Sequence, residues 1–373
     1  MPLRRFHTKS RHGCSQCKLA HVKCSRCTKL QKTCSFQNLY KAPSESSGSS
    51  PNAGTSITTI NHLSETDTLS WEDLDLFHHY LTVTCETLDD REDVRQMWKI
   101  QIPQMATKQK FLMYGIFSIT AMHIASSNPE NQSSYINRAI RDHNIALRDY
   151  TSLLHNITRE NATALFACGS LIAVVALTLG ILRPQQESTG PVEEILGIFN
   201  LLRGIPLVAG KMWASLRSSQ IAPLFVHRDH DGREVDLTAS TRLPERVTNA
   251  LALLEERAQT LSTPEQKEAY IIAIQDLKEA FNLRSAVRYE KSMSFRWPVT
   301  VNQEYVALLG LREPMALVVL AHYAVMLHEM RDKWWALGWG SQLVHEIYQV
   351  VDEDWRGLMA WPMREISPNH EHD

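Results

Sequence analysis

Between Ser70 and Pro362 the apolar residues recur at three- and four-residue intervals, the period of a helix packed along one side. Ser70 followed by Asp73 predicts a capping box, after which Leu74, Phe77 and Leu81 fall at i, i+3 and i+7. The run Phe111–Ala125 is apolar on most faces, and Ile136, Ile140, His143, Leu147 and Tyr150 predict the next stripe. Thr263-Pro264-Glu265-Gln266 supplies a cap, a proline for the first helical position and a capping partner. Behind it, Tyr270, Ile274, Leu277 and Phe281 mark one face of a helix, and Pro314 opens another that should run to about Trp335. Apolar–polar alternation nowhere persists long enough for a sheet. The pattern predicts an all-α domain over 70–362 with a tail over 363–373.

One stretch departs from a single stripe. Ala162 to Leu182 is 21 residues without a charge, long enough to cross a bilayer. Ser, Thr, Cys and Gly punctuate it, however, and no basic cluster or aromatic belt frames it. A helix buried on all sides of a bundle has the same signature, and that is the reading adopted. No membrane span is expected.

Composition changes the picture at the N-terminus. Residues 42–69 are rich in Ser, Gly, Pro and Thr, and cannot bury enough apolar surface to offset ordering entropy. They predict a flexible linker. Residues 1–41 carry ten Lys and Arg and no Asp or Glu, whereas the remaining chain has a formal charge of −12. A short basic arm on an acidic body suits a polyanion-binding head. No apolar secretory segment opens the chain, and Cys85 and Cys168 stand alone in apolar surroundings. Reduced thiols of the nucleus or cytosol fit that better than disulfides. The sequons at Asn131, Asn156 and Asn161 are then coincidental.

The head holds the chemistry. Cys14, Cys17, Cys24, Cys27 and Cys34 are spaced x2, x6, x2 and x6 among basic residues. Thiolates two apart can grip one tetrahedral zinc from a single turn. The block resembles the fungal binuclear zinc-cluster (Zn2Cys6) DNA-binding domain, as does its lead-in, His7-Thr-Lys-Ser-Arg-His-Gly-Cys14. The resemblance implies zinc as cofactor, double-stranded DNA as partner and the nucleus as location. It departs at the centre, because the loop between the two halves and a sixth cysteine are absent. Cys24 stands only three positions before Cys27, leaving no chain for the turn that lets the halves face each other. At most one zinc is expected. Lys18, His21 and Lys23 lie where that family contacts phosphates and bases, although Ala20 and His21 replace the usual Arg or Lys.

Further stretches resemble the regulatory domain of one zinc-cluster subgroup, the fungal sterol uptake control proteins. They are Trp71–Tyr80, Phe111–His123, Leu201-Leu-Arg-Gly-Ile205, Ala321–His328, Trp334-Trp335, Trp355 and Trp361-Pro362. This implies a homodimerising helical domain with an apolar pocket for a sterol-like ligand. Candidate walls are Leu171, Val175, Leu179, Val318 and Met326, with His322 or Tyr323 as a polar anchor.

Catalysis is not indicated. No nucleophile elbow, phosphate loop or paired catalytic carboxylates occur, and the catalytic set is empty. His123, His143, His322 and His328 sit on apolar faces, where such side chains are ordinarily packed with one satisfied polar tip. Two functions therefore compete. One is a zinc-dependent transcription regulator of sterol-related or secondary-metabolite genes. The other is a ligand-binding and dimerisation module without competent DNA binding.

Overall fold

The computed structural model describes residues 69–183, 190–227, 234, 243–287 and 291–367. Contacts divide the chain into two units between Thr68 and Leu69, and the described residues belong to the second. The cysteine block, the basic contact residues and all but the last residue of the linker lie outside the described residues.

Sixteen α-helices and several single turns make up the described part, with no β-strand among the described residues. The all-α expectation is borne out there. The helices are α1 (Trp71–Thr82), α2 (Glu92–Gln96), α3 (Ile102–Ala106), α4 (Lys110–Ser127), α5 (Gln132–Leu153), α6 (Arg159–Leu182), α7 (Pro191–Leu202) and α8 (Gly204–Arg217). After these come α9 (Glu245–Gln259), α10 (Pro264–Ala286), α11 (Arg296–Thr300), α12 (Gln303–Gly310), α13 (Pro314–His328), α14 (Trp339–Val350), α15 (Glu353–Arg356) and α16 (Ala360–Glu365).

The chain packs as two groups sharing one helix. In the first, α4 and α5 lie side by side after a short connection, with α1 and α6 against them. In the second, α13 is covered by α10, α12, α14 and α16. Every residue from Met315 to Leu327 is buried, so α13 is apolar all round because it is enclosed all round. Phe199, Trp297, Tyr305 and Tyr323 interlock beside it, with ring centroids 4.8–5.7 Å apart. Such pairs contribute about 0.5–1.5 kcal/mol each beyond the area they bury.

Helix α6 is the shared element. Its buried residues run almost around the helix, and it meets α4, α5, α7 and α8. Ala173 and Leu177 join the apolar cluster of the second group. The Trp339 indole donates to the Leu177 carbonyl at 2.9 Å, tying α14 to α6. Polar interruptions are satisfied within the helix, as Ser170 and Thr178 donate to the Phe166 and Val174 carbonyls. Length and hydropathy alone would let α6 cross a membrane, and so would the segment Pro191–Arg217. Packing distinguishes them, with 61% of the apolar window buried in α6 and 28% in Pro191–Arg217.

Three sequence expectations are refined. The Tyr270, Ile274, Leu277 and Phe281 face is buried as read. The face of α1, by contrast, turns on Leu76 and Tyr80 and leaves Leu74 45% exposed. In α5 the buried positions are Ala139, Asp142, His143, Ala146 and Tyr150, so the seam is shifted off the aliphatic Ile136, Ile140 and Leu147. Helix α13 stops at His328, and turns carry the chain through Trp335.

Candidate functional site

Two sites were expected, and the zinc-and-DNA set lies outside the described residues. Cys14, Cys17, Cys24, Cys27 and Cys34 as a set fit one zinc by donor chemistry, as thiolates at Cys-x2-Cys spacing. Lys18, His21 and Lys23 are likewise undescribed. Among the described residues no group of three or more His, Cys, Asp or Glu is placed to hold a metal. Cys85 and Cys168 are buried and unbridged, and burial pushes both thiols up from their ordinary value.

The ligand-wall residues are placed, in two sets. Leu171, Val175 and Leu179 lie one turn apart on α6, all buried. Leu171 faces α4, where a Cβ added to Gly115 would lie 3.5 Å from its Cδ1. Val318, His322, Tyr323 and Met326 are buried on α13. The apolar cluster around Val318, Tyr323 and Met326 takes Ala173 and Leu177 from α6, and the three α6 wall residues are not part of it. His322 is held by Val318, whose carbonyl lies 2.8 Å from Nδ1, and its ring stacks on Trp361 at 5.3 Å. Burial lowers its pKa to about 4, so the imidazole is neutral at physiological pH. A surface groove of about 310 Å³ lies elsewhere, between Leu261, Pro264, Ile271 and Ile272.

The stretches that carry the family resemblance meet at a different point. Trp71–Tyr80 forms most of α1, Phe111–His123 most of α4, and Trp334 follows α13. They bring His79, His123 and Trp334 together, with ring centroids 5.7 Å apart for the histidines and 4.8 Å for His123 and Trp334. Thr84 Oγ1 lies 3.0 Å from His123 Nδ1. The Trp334 indole donates to Thr87 Oγ1 at 3.0 Å, and beside it Lys333 reaches Asp90 at 2.5 Å. Burial, and then the neighbouring His79, lower the His123 pKa to about 4. This half-buried cluster joins residues far apart in the chain. It is a neutral, hydrogen-bonded seam with no nucleophile or metal cluster, suited to holding two parts of the domain in register.

Below the seam Arg138 on α5 meets three carboxylates. It pairs with Asp73 on α1, with the buried Asp142 at 2.5 Å and more loosely with Glu72 at 3.6 Å. The Asp73 carboxyl is held below its ordinary value despite its burial, by bonds from Ser70 and Arg138. Nothing in the sequence singles out Thr84, Thr87, Arg138 or Lys333. Each is an ordinary polar residue until its partner, 39 to 247 positions away in the longer pairs, arrives.

Residues 75–195, from within α1 to within α7, match the profile of the fungal specific transcription factor domain. A Zn(2)-C6 fungal-type transcription factor of Gibberella zeae is 25% identical, the alignment covering 98% of this chain and 87% of that protein. The Zn(2)-C6 fungal-type transcription factor afumD of Aspergillus fumigatus is 22% identical over 86% of this chain and 85% of its own length. Sterol uptake control protein 2 of Saccharomyces cerevisiae is 24% identical over 84% of this chain, which spans 34% of that longer protein. The first two of these relatives are named as transcription factors. Residues 75–195 of the helical body, His79 and His123 among them, are similar to the fungal specific transcription factor domain, and the chain as a whole is similar to proteins named Zn(2)-C6 fungal-type transcription factors.

Proposed function

We propose that this chain is a zinc-dependent, sequence-specific DNA-binding transcription regulator that acts in the nucleus. One observation carries the reading. A basic cysteine block with Cys-x2-Cys spacing precedes a body that matches the fungal specific transcription factor domain. In this reading residues 1–41 are the DNA-docking head, 42–69 the tether, 70–362 the regulatory body and 363–373 a tail. Cys14, Cys17, Cys24 and Cys27 hold one zinc, with Cys34 in reserve. Lys18, His21 and Lys23 meet the DNA, chiefly its phosphates. The body forms a homodimer and takes a sterol-like apolar molecule against α6 or α13, with His322 or Tyr323 as its polar anchor. The likeness to a sterol uptake control protein supports sterol-related target genes, with secondary-metabolite gene clusters as the alternative.

The test uses the full chain purified with zinc. Repeated selection from random DNA duplexes should enrich one sequence, and a chelator should abolish its binding. Metal analysis should return no more than one zinc per chain. Enrichment of no sequence would remove the DNA-binding part of the proposal. Ergosterol at 100 times its dissociation constant should stabilise the protein by about 2.7 kcal/mol in thermal melting. An unchanged melting point would remove the sterol.

A second reading has its own observation. The missing loop and cysteine, with Ala20 and His21 in place of cations, favour a ligand-binding and dimerisation module without DNA binding. In the selection it predicts an intact dimer that enriches nothing.

A further inference from the structure

Helix α1 presents to solvent a face that the fold does not use. Its inner side buries Leu76 and Tyr80, and the Tyr80 hydroxyl donates to the Trp98 carbonyl at 3.0 Å. On the outer side Trp71 is 86% exposed and Leu74 45%, with Leu69 58% exposed just before the helix. Glu72 and Asp75 flank them, both exposed. A lone exposed leucine needs no explanation, but a tryptophan left almost wholly in water beside two leucines does.

The face is also held still. Ser70 Oγ accepts from the Asp73 amide at 3.1 Å, and Asp73 Oδ2 accepts from the Ser70 amide at 2.8 Å, closing a capping box. The same Asp73 carboxylate pairs with Arg138, itself anchored by the buried Asp142. Trp71 is therefore presented at the first position of a clamped helix, and a partner need not order the backbone to bind it.

Charge narrows the partner. Glu72 and Asp75 are exposed carboxylates on this face, and the segment from Leu69 to Asp90 holds no Lys or Arg. A nucleic acid or an anionic lipid surface would be repelled. A second copy of the same face would bring its own Glu72 and Asp75 close to these two, because an isologous contact buries the same patch on both copies. We infer that the Leu69, Trp71, Leu74 face of α1, flanked by Glu72 and Asp75, is an activation surface that docks into an apolar groove rimmed by Lys or Arg on a protein of the transcription machinery. Trp71 and Leu74 are the anchors, and the carboxylates give orientation and rate of encounter. The inference rests on the reading of the chain as a transcription regulator, but not on its own DNA binding.

The experiment separates the two. The full chain is fused to an unrelated DNA-binding domain in a fungal cell carrying that domain's operator before a reporter, so that recruitment to DNA no longer depends on the cysteine block. The unaltered fusion should activate the reporter. The double substitution Trp71→Ala, Leu74→Ala should lower output at least tenfold, and so should Asp75→Lys, which leaves the Glu72–Arg138 pair in place. Trp71→Phe should retain most of it. Trp71, Leu74 and Asp75 are exposed, so circular dichroism and solution mass of the purified chains should not change. A silent unaltered fusion, or equal output from every variant, would overturn the inference. So would a variant whose mass falls from dimer to monomer, since the face would then be the chain's own interface.

Discussion

Two histidine–tryptophan stacks of almost identical geometry do different work in this domain. His322 and Trp361 lie with their rings 5.3 Å apart and tilted by 32°, and His123 and Trp334 lie 4.8 Å apart at the same tilt. The first is sealed among α13, α10 and α16, where Phe281 also meets Trp361 at 5.9 Å. The second is half-exposed and braced by hydroxyls, Thr84 on the imidazole and Thr87 on the indole. Both imidazoles are pushed down to about 4, yet by different surroundings. Burial alone lowers His322, against a raising contribution from the Val318 carbonyl, while His123 has a second histidine beside it. The same ring pair is thus core filling in one place and a hydrogen-bonded joint in the other.

Truncation should separate the two stacks most sharply. Trp361→Ala removes a side chain only 7% exposed and should cost about 3–5 kcal/mol in urea denaturation, as large aromatic deletions from a core do. Trp334→Ala at the half-exposed seam should cost about 1–2 kcal/mol, because solvent can reclaim part of the vacated surface and Thr87 can turn to water. Equal losses would show that the seam is as much a core as the interior.

Acid should act next most strongly. His322 and His143 are buried, with pKa values near 4 against an ordinary 6.5. Above pH 6.5 neither state binds the proton, and stability is at its full value. Between 6.5 and 4 the unfolded chain takes up a proton that the folded one refuses, so stability falls as pH falls. The loss should reach about 2 kcal/mol per buried histidine at pH 5. Urea midpoints at pH 7 and pH 5 measure it, and His322→Phe should remove one histidine's share. A pH slope that His322→Phe leaves unchanged would mean that His322 is not held neutral in the fold.

The smallest effect should come from the cap beside the seam. Ser70→Ala loses the hydroxyl that receives the Asp73 amide and should cost about 1 kcal/mol. Asp73→Asn should cost more, because Arg138 would lose one of its two close carboxylates and keep Asp142 and the looser Glu72. If the two variants lose equally, the Arg138 pair adds nothing to α1 docking.

Much of this fold is legible in the amino-acid pattern. The capping box at Ser70 and Asp73 forms as its spacing implies, because both partners lie within one turn. The face of Tyr270, Ile274, Leu277 and Phe281 is buried as read, while Ile271 and Ile272 on the same helix line the surface groove. Helix α1 is harder, with Leu74, Leu76, Phe77, Tyr80 and Leu81 spread widely around it. Arg138 on α5 settles its rotation by drawing Asp73 inward, and no local pattern contains that partner. The proposed walls on α6 and α13 show the same limit. Both helices are apolar on nearly every side, so their sequences identify them as interior without saying which face meets which neighbour.

The sequence by itself determined the helical class, the helix starts, the separation of a basic cysteine-rich head from an acidic helical body, and the resemblance to fungal transcription factors. Each rests on residues within a turn of one another, on charge summed along a segment, or on motifs read in line. Only the tertiary structure decided that Ala173 and Leu177, and not Leu171, Val175 and Leu179, join the cluster around α13. It alone brought His123 onto Trp334 and left Trp71 in water. Those outcomes depend on contacts between residues as much as 247 positions apart. A periodic pattern specifies that a face will be buried, whereas its partner is chosen by the packing of the whole chain.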